Sequence, residues 1–220
     1  GMLNASVNCL DRHVAAGHGE EVALIWESND PEEAPKRFTY RELLAQVERA
    51  ANTLRALGVR RGDRVCIYLQ MVPEAAISML ACARIGAIHS VIFGGYSFEA
   101  LRKRISDCDA KVLITQDEGP RGDKVVPMKR SADAALEGAP SIERVLVVQR
   151  TGADVSMQSG RDVFWDVALE AVEPHCAPEE MQAEDPLFIL YTSGSTGLPK
   201  GLVHTTGGYL TSVAFTHELV

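Results

Sequence analysis

The length, composition and charge of the chain indicate a globular protein without the basic surface of a nucleic-acid binder. It has 220 residues, 46% of them hydrophobic, enough to bury a sizeable core in one large or two small domains. The formal net charge of −8 argues against nucleic acid as a partner, because such surfaces carry a clustered basic excess. No apolar run approaches the roughly 18 residues that cross a bilayer, so no membrane partner is predicted.

The first half of the chain alternates strands with helices. A weakly helical pattern at Ser6–Ala16 precedes a predicted strand at Glu21–Trp26. Thr39 and Glu42 make a capping box for a helix whose apolar positions recur until Gly58. The next predicted elements are a strand at Arg64–Leu69, a helix from Pro73 to about Ile85 and a strand at Ile88–Phe93.

The alternation continues through the second half. Ser97 is predicted to cap a helix through Asp107, and strands are predicted at Lys111–Thr115 and Arg144–Val148, with a helix at about Val126–Leu136 between them. Short β-branched runs separated by helices are typical of parallel βαβ units. The predicted fold class is therefore α/β, a layered fold with a mostly parallel sheet.

Four further segments are predicted from their composition or charge. Thr151–Gly160 is polar and predicts an exposed loop, and Arg161–Val172 predicts one short helix. Glu173–Pro186, with three prolines and a run of acids, predicts a solvated connection. The basic run Arg102–Arg104 is interpreted as a solvated helix face.

Cysteine and histidine placement predicts no metal site. The five cysteines are odd in number and scattered, which indicates free thiols in a reducing cytoplasm. The six histidines lack metal-ligand spacing. His89 and His204 lie near predicted strand ends, where packing is the commoner role, so neither is assigned to catalysis.

The stretch from Leu187 to Gly208 has the most specific pattern. Leu187–Tyr191 is an apolar run that predicts a buried strand. Between Thr192 and Gly201 come three glycines, four hydroxyl side chains and one lysine. Such a loop can present backbone N–H groups, hydroxyl donors and a positive charge to phosphate oxygens. Gly201–Thr205 is predicted to pair back on the first strand before a helix begins at Thr206.

The P-loop of nucleotide triphosphatases is the obvious alternative for this stretch. Aligning its G-x-x-x-x-G-K-[ST] pattern on Gly194 places Lys200 correctly. Pro199 then occupies the second glycine position, and Gly201 the position of the magnesium-binding hydroxyl. Two of the four defining positions fail, which leaves a different phosphate loop or a simple turn.

The string from Tyr191 to Gly201 resembles the signature phosphate loop of the adenylate-forming superfamily. Within that superfamily, further stretches are similar to the short-chain acyl-CoA synthetases, above all those specific for acetate. The similar stretches are Val22–Glu27, Met71–Ala76, Ala83–Gly95, Asp117–Lys124 and His204–Gly208. The resemblance covers the chain from about Glu21 onward and implies that residues 1–220 are an N-terminal part of the adenylate-forming (AMP-binding) domain.

The resemblance implies a two-step ligase reaction. Acetate attacks the α-phosphate of ATP to give acetyl-adenylate and pyrophosphate, and the CoA thiol then displaces AMP. The substrates would be acetate, ATP and CoA, with Mg²⁺ ligands expected outside this chain. The phosphate loop would bind the leaving phosphates, with Lys200 as the catalytic cation. Its binding residues are Thr192, Ser193, Gly194, Ser195, Thr196, Gly197 and Lys200.

The resemblance also implies a CoA site. Its residues are Phe93, Gly94, Gly95, Arg121, Gly122, Asp123 and Lys124. The glycines would let a flat ligand approach the backbone, Phe93 would stack on adenine, and Arg121 would bind a phosphate. Lys124 stands where the family commonly has arginine, and Asp123 adds a negative charge, so a weaker phosphate site is expected.

The resemblance also leads us to expect an incomplete enzyme. The adenine, acyl and Mg²⁺ sites of the family and its C-terminal domain would be absent, so we expect the chain to be inactive alone and to self-associate through an exposed sheet edge. Two alternatives stay open. One is a synthetase for propionate or another short acid, and the other is a module that only binds nucleotide or CoA. Acyl specificity and oligomeric state are not predicted.

Overall fold

A seven-stranded sheet forms the centre of the protein. The computed structural model describes residues 2–192 and 199–219. In chain order the strands are β1 Val22–Trp26, β2 Lys36–Thr39, β3 Arg64–Ile67, β4 Ile88–Val91, β5 Val112–Gln116, β6 Gly119–Arg121, β7 Lys124–Val126, β8 Arg144–Val148, β9 Asp162–Phe164, β10 Pro186–Thr192 and β11 Lys200–Thr205. The central sheet has the order β11-β10-β4-β3-β5-β8-β9, while β1 pairs with β2 and β6 pairs with β7 in two separate hairpins.

All neighbours in the central sheet are parallel except β10 and β11, which form an antiparallel pair. The chain runs from β3 to β4 on one side of the sheet and then returns to β5 on the other side of β3. This reversal creates a switch point at the carboxyl ends of the strands, which is where open α/β sheets bind ligands.

Helices cover both faces of the sheet. In chain order they are α1 Tyr40–Ala56, α2 Pro73–Arg84, α3 Phe98–Cys108, α4 Met128–Leu136, α5 Trp165–Glu170 and α6 Thr206–Leu219, after two short π-helices at Val7–Asp11 and Val14–His18. One face packs against α1, α2 and α5. The opposite face packs against α3 and α4. The result is a three-layered α/β fold, which confirms the predicted fold class.

The helix ends follow the signals in the sequence. The Thr39 side chain accepts a hydrogen bond from the Glu42 N–H, and the Glu42 side chain accepts one from the Thr39 N–H, so the predicted capping box is confirmed. Ser97 caps α3 as predicted, and Pro73 occupies the first turn of α2. Gly58, with φ of +94°, lies just beyond the end of α1.

A buried arginine joins the N-terminal segment to the core. Arg84, at the end of α2, is 1% exposed. Its guanidinium forms a bidentate ion pair with Asp11, at 2.9 and 3.0 Å, and another with Glu48 at 3.0 Å. Its Nε donates to the carbonyl of Cys176 at 2.6 Å. One side chain therefore holds together the π-helices, α1 and the connection before β10.

A second buried ion cluster fixes the far side of the sheet. The Lys129 ammonium group contacts Asp133 at 2.8 Å and Asp162 at 3.0 Å, and donates to the carbonyl of Ser156 at 2.7 Å. Burial alone would raise the pKa of Asp162, but hydrogen bonds from Arg161, Gln158 and Lys129 outweigh it and lower that pKa. The cluster ties α4 to β9 and to the loop that precedes β9.

Three expectations about secondary structure and burial are wrong. Arg161–Val172 was predicted as one helix, but Asp162–Phe164 is β9 and only Trp165–Glu170 is helical. The connection Glu173–Pro186 is not wholly solvated, because Cys176 and Met181 are buried in it. β10 is not buried throughout, since only its Leu187 is fully covered.

The remaining predicted elements are found within a few residues of their expected bounds. This holds for the strands before and after α2, for α4 and for the pairing of β10 with β11. Among the described residues, no helix combines the length and the apolar character needed to cross a bilayer.

Candidate functional site

A cavity of about 500 Å³ opens at the carboxyl edge of the central sheet. It lies at the switch point described above, where the segments that follow the parallel strands converge. Its lining comes from the ends of β1, β3, β4, β6, β8 and β10, with Trp26, Gln70, Phe93, Arg121, Arg150 and Leu190 among the residues that face it. Four of the residues predicted for CoA line this cavity, namely Phe93, Gly94, Gly95 and Arg121.

The turn after β4 leaves little room for a side chain at either of its two glycines. A Cβ on Gly94 would lie 3.0 Å from the Met128 side chain and 3.1 Å from the Leu69 carbonyl. A Cβ on Gly95 would lie 2.5 Å from the ring of Phe93. Phe93 itself is 62% exposed, so one face of its ring is free to stack on a planar group.

Arg121 reaches the same turn from a separate hairpin. It ends β6 and pairs with Lys124 at the start of β7. Gly122, with φ of +58°, and Asp123 form the exposed tip between them. Arg121 Nη1 lies 3.2 Å from where a Cβ on Gly95 would be, so its guanidinium lies beside the Phe93–Gly95 turn. Gly122, Asp123 and Lys124 are exposed around the rim.

Two glutamines hold this hairpin against the sheet. Gln116, the last residue of β5, accepts a hydrogen bond from the Gln70 N–H at 2.9 Å and donates to the Glu118 carbonyl at 2.7 Å. Gly119 lies directly against the Gln70 side chain, where any Cβ would clash. The two glutamines therefore hold the start of the hairpin that carries Arg121 against the ends of β3 and β5.

Trp26 and Arg150 form a wall of the cavity that sequence reasoning missed. The Trp26 indole N–H donates to the Met71 carbonyl at 2.6 Å. The Arg150 guanidinium lies 5.1 Å from the Trp26 ring centroid, and Lys36 Nζ lies 5.3 Å from it. Arg150 also forms an ion pair with Glu33. These residues are far apart in sequence and belong to no local motif, so only the fold brings them together.

A buried carboxylate holds the loop that carries Arg150. Asp117 is fully buried after β5. Its carboxylate accepts hydrogen bonds from the N–H groups of Glu118, Arg150, Thr151, Gly152 and Ala153. These bonds connect the end of β5 to the segment after β8, so Asp117 is a structural anchor for this edge of the cavity.

The predicted phosphate loop begins and ends on the β10–β11 hairpin. Thr192, the last residue of β10, pairs with Lys200, the first residue of β11, and both are exposed. The loop residues Ser193, Gly194, Ser195, Thr196 and Gly197 lie outside the described residues. Leu190, two residues before Thr192, lines the cavity. The base of the loop therefore lies next to the cavity, because β10 and β4 are neighbouring parallel strands.

Tyr191 connects this hairpin to α3. Its hydroxyl donates to Asp107 Oδ2 at 2.6 Å. Burial and the hydrogen bond to this carboxylate raise the pKa of Tyr191 above its ordinary value. The guanidinium of Arg104 lies between two aromatic rings, 4.3 Å from the Tyr96 centroid and 5.6 Å from that of Tyr191.

The prediction of a solvated face at Arg102–Arg104 is wrong for two of the three residues. Arg104 is buried between the rings, and Arg102 donates to the carbonyls of Ala134 and Ala135 at the end of α4. Lys103 alone is fully exposed. Arg102 and Arg104 therefore stabilise the packing around α3.

An aromatic stack lies on the other face of β10. Phe188 stacks on His89, with ring centroids 5.4 Å apart, and on His204, at 4.4 Å. Among the described residues, none pairs with His89 Nδ1. Burial lowers the pKa of His89 to about 4. The imidazole of His89 is therefore neutral at physiological pH, which agrees with the packing role predicted for it.

The described part of the chain contains no group of three or more His, Cys, Asp or Glu side chains that could hold a metal ion. The described residues therefore offer no carboxylate cluster that fits Mg²⁺. All five cysteines are free thiols.

Known proteins match the chain over essentially its whole length. It is 56% identical over 220 residues to the acetyl-coenzyme A synthetase of Halorhodospira halophila and 58% identical over 220 residues to that of Rubrobacter xylanophilus. These matches cover all of this chain and 34% of each relative, so the chain spans about a third of their length. A relative of the same name from Nostoc linckia is 56% identical, with 65% of its length covered.

The profile of one protein family, described as AMP-binding enzyme, matches residues 11–219. That range includes β1 through α6 and therefore the cavity, the hairpin of Arg121 and both ends of the predicted phosphate loop. The chain belongs to the AMP-binding enzyme family.

Proposed function

We propose that the protein containing this chain is an AMP-forming acid–thiol ligase that activates acetate with ATP and transfers the acetyl group to CoA. Residues 1–220 would belong to its N-terminal, adenylate-forming domain. The observation that carries the proposal is the position of the cavity beside the base of the phosphate loop. Similarity to acetyl-coenzyme A synthetases along the whole chain supports acetate as the acid.

The cavity would bind the nucleotide end of CoA. Phe93 offers a free ring face for adenine, and Gly94 and Gly95 allow that ring to lie against the backbone. Arg121 would bind a phosphate oxygen as a fixed donor fork. Lys124 and Asp123 lie at the exposed rim, where Lys124 adds positive charge and Asp123 partly cancels it.

The β10–β11 hairpin would bind ATP. Lys200 would neutralise charge on the leaving phosphates, and Thr192 with the loop residues Ser193, Gly194, Ser195, Thr196 and Gly197 would supply hydroxyl and N–H donors. Adenylation requires charge neutralisation and in-line positioning of the carboxylate and the α-phosphate. Acetate, ATP and CoA would be its substrates, and the cytoplasm its compartment.

The activity can be tested by pyrophosphate exchange. The full-length protein should incorporate labelled pyrophosphate into ATP only when acetate is present, because exchange reports reversible acyl-adenylate formation. Absence of exchange with every short carboxylate would refute the proposal.

Comparing kcat/KM for acetate and propionate tests the acyl specificity. A higher kcat/KM for propionate would make propionate, and not acetate, the proposed substrate.

A second candidate is favoured by the presence of Phe93, Gly94, Gly95 and Arg121 in the lining of one cavity: the 220-residue chain binds CoA without turning it over. Calorimetry of this chain with CoA tests that idea. Arg121→Ala should weaken CoA binding about tenfold through loss of one charged contact. The matched control is Arg130→Ala, an exposed arginine on α4. Equal affinities for both variants would remove Arg121 from the site.

A further inference from the structure

Two cysteine thiols lie close together beneath α3. Cys66 on β3 is 0% exposed, and Cys108, the last residue of α3, is 8% exposed. Their Sγ atoms are 3.7 Å apart. A disulfide bond has a sulfur–sulfur distance of about 2.0 Å, so the sulfurs must approach each other by roughly 1.7 Å.

Cys108 is the one cysteine of the five whose surroundings lower its thiol pKa. The hydrogen bond from Cys66 lowers the pKa of Cys108, burial opposes that effect, and the positive charge of Arg64 adds to it. The pKa values of the other four cysteines are all raised, that of Cys66 by its hydrogen bond with Cys108 and by burial, and those of Cys9, Cys82 and Cys176 by burial. The thiolate is the form that reacts with oxidants, which singles out Cys108 among the five.

We propose that Cys66 and Cys108 are a modification site for hydrogen peroxide, which converts them into a reversible disulfide. The Cys108 thiolate attacks one peroxide oxygen, the O–O bond breaks, and protonation of the released hydroxide gives water and a sulfenic acid. The Cys66 sulfur then attacks the Cys108 sulfur, the S–O bond breaks, and the hydroxide leaves as water with the Cys66 proton. Two thiols and one peroxide thus give one disulfide and two waters.

The disulfide would act on the base of the phosphate loop through Tyr191. Asp107, the neighbour of Cys108, accepts the hydrogen bond from the Tyr191 hydroxyl. Tyr191 is followed by Thr192, where the loop begins. A shift at the end of α3 therefore changes the contact that fixes this end of β10. Formation of the disulfide is independent of the proposed function, whereas its effect on ATP binding rests on that function.

The disulfide can be tested on the native 220-residue chain with hydrogen peroxide. Two of the five thiols should be lost, a Cys66–Cys108 linked peptide should appear, and dithiothreitol should restore both. Digestion with trypsin and chymotrypsin separates Cys66 from Cys82, since Tyr68 and Leu69 lie between them. Cys108→Ser should abolish the linked peptide, and Cys9→Ser, at an exposed thiol, should retain it.

Two outcomes would overturn the disulfide. One is oxidation of Cys9 while Cys66 and Cys108 stay free, and the other is a linked peptide that forms only in denaturant.

The coupling between the disulfide and β10 has its own test, hydrogen exchange of the Leu187–Thr192 amides in the oxidised and reduced chains. A change of about threefold or more is expected, and Tyr191→Phe should remove it. A linked chain with unchanged exchange would overturn the coupling, whatever the activity of the full-length protein.

Discussion

The central strands and the β10–β11 hairpin belong to one sheet but differ in how they are covered. β3, β5 and β8 have helices on both faces, and nearly all their residues are buried. β11 is mostly exposed, and Thr206 is the only fully buried residue among those described in α6. Burial of apolar surface is the main source of stability. The central strands must therefore stabilise the fold, while the hairpin adds little to it.

The two parts of the candidate site are divided between these regions. The cavity with Phe93 and Arg121 lies on the ends of the buried strands, whereas Thr192 and Lys200 lie at the exposed end of the hairpin. Substitutions can therefore separate stability from activity. Changes in the central region should unfold the chain, and changes in the hairpin should alter chemistry with little effect on the free energy of unfolding.

The largest effect is expected for Arg84→Ala. This change leaves Asp11 and Glu48 without their buried cation and should lower the free energy of unfolding by about 3–5 kcal/mol. Urea denaturation of the 220-residue chain measures it. Arg37→Ala on β2, an exposed position, is the control and should cost about 0.5 kcal/mol or less. Similar losses for the two variants would contradict the role of the Arg84 cluster.

Leu146 and Leu202 allow a direct comparison of the two regions. Leu146 on β8 is 0% exposed and Leu202 on β11 is 50% exposed. Leu146→Ala should lower the free energy of unfolding by about 2–5 kcal/mol, because it leaves a cavity in the core. Leu202→Ala should cost about 0.5 kcal/mol. If Leu202→Ala were as destabilising as Leu146→Ala, the hairpin would be part of the stabilising core in solution.

A smaller, pH-dependent effect is expected at His89. Burial lowers its pKa from 6.5 to about 4, so between these values the unfolded chain binds a proton that the folded chain does not. Stability should therefore fall as pH decreases from 6.5 to 4, with a total loss of about 3 kcal/mol from this group. Comparing unfolding at pH 7 and pH 4.5 for His89→Gln and the wild type measures the difference. His217→Gln, at an exposed position of α6, should leave the wild-type dependence unchanged.

Local signals in the sequence predicted the elements of the fold well. The Thr39 capping box, the Ser97 cap and the β-branched runs of β5 and β8 depend on neighbours within a few residues, and all are found as predicted. The strand at Asp162–Phe164 was missed, because three residues are too short to show a period of their own.

Contacts between distant segments could not be predicted. The partners of Arg84 lie between 36 and 92 positions away from it in the sequence. The wall of Trp26 and Arg150 depends on three segments that are separate in the sequence. The burial of Arg104 did have a signal. It lies on the helix face of Leu101, Ile105 and Cys108, and that spacing indicates an inward position that the run of basic residues concealed.

The coverage of β10 was mispredicted for another reason. An apolar run indicates a strand that can be buried, but the exposure of that strand depends on what packs against it. The start of α6 donates hydrogen bonds to the carbonyls of Ala183 and Asp185, just before β10, and its Tyr209 packs against Phe188. The apolar run therefore predicted the strand that leads into the predicted phosphate loop, but not how exposed that strand is.

The most direct test measures the two half-reactions of the full-length protein separately in two variants. Lys200→Ala should slow acetyl-adenylate formation about 100-fold or more and spare thioester formation from preformed acetyl-adenylate. Arg121→Ala should spare adenylation and raise the KM for CoA about tenfold in the second step. Such opposite effects are the predicted result. Equal losses in both half-reactions for both variants would contradict the division of the site between the hairpin and the cavity.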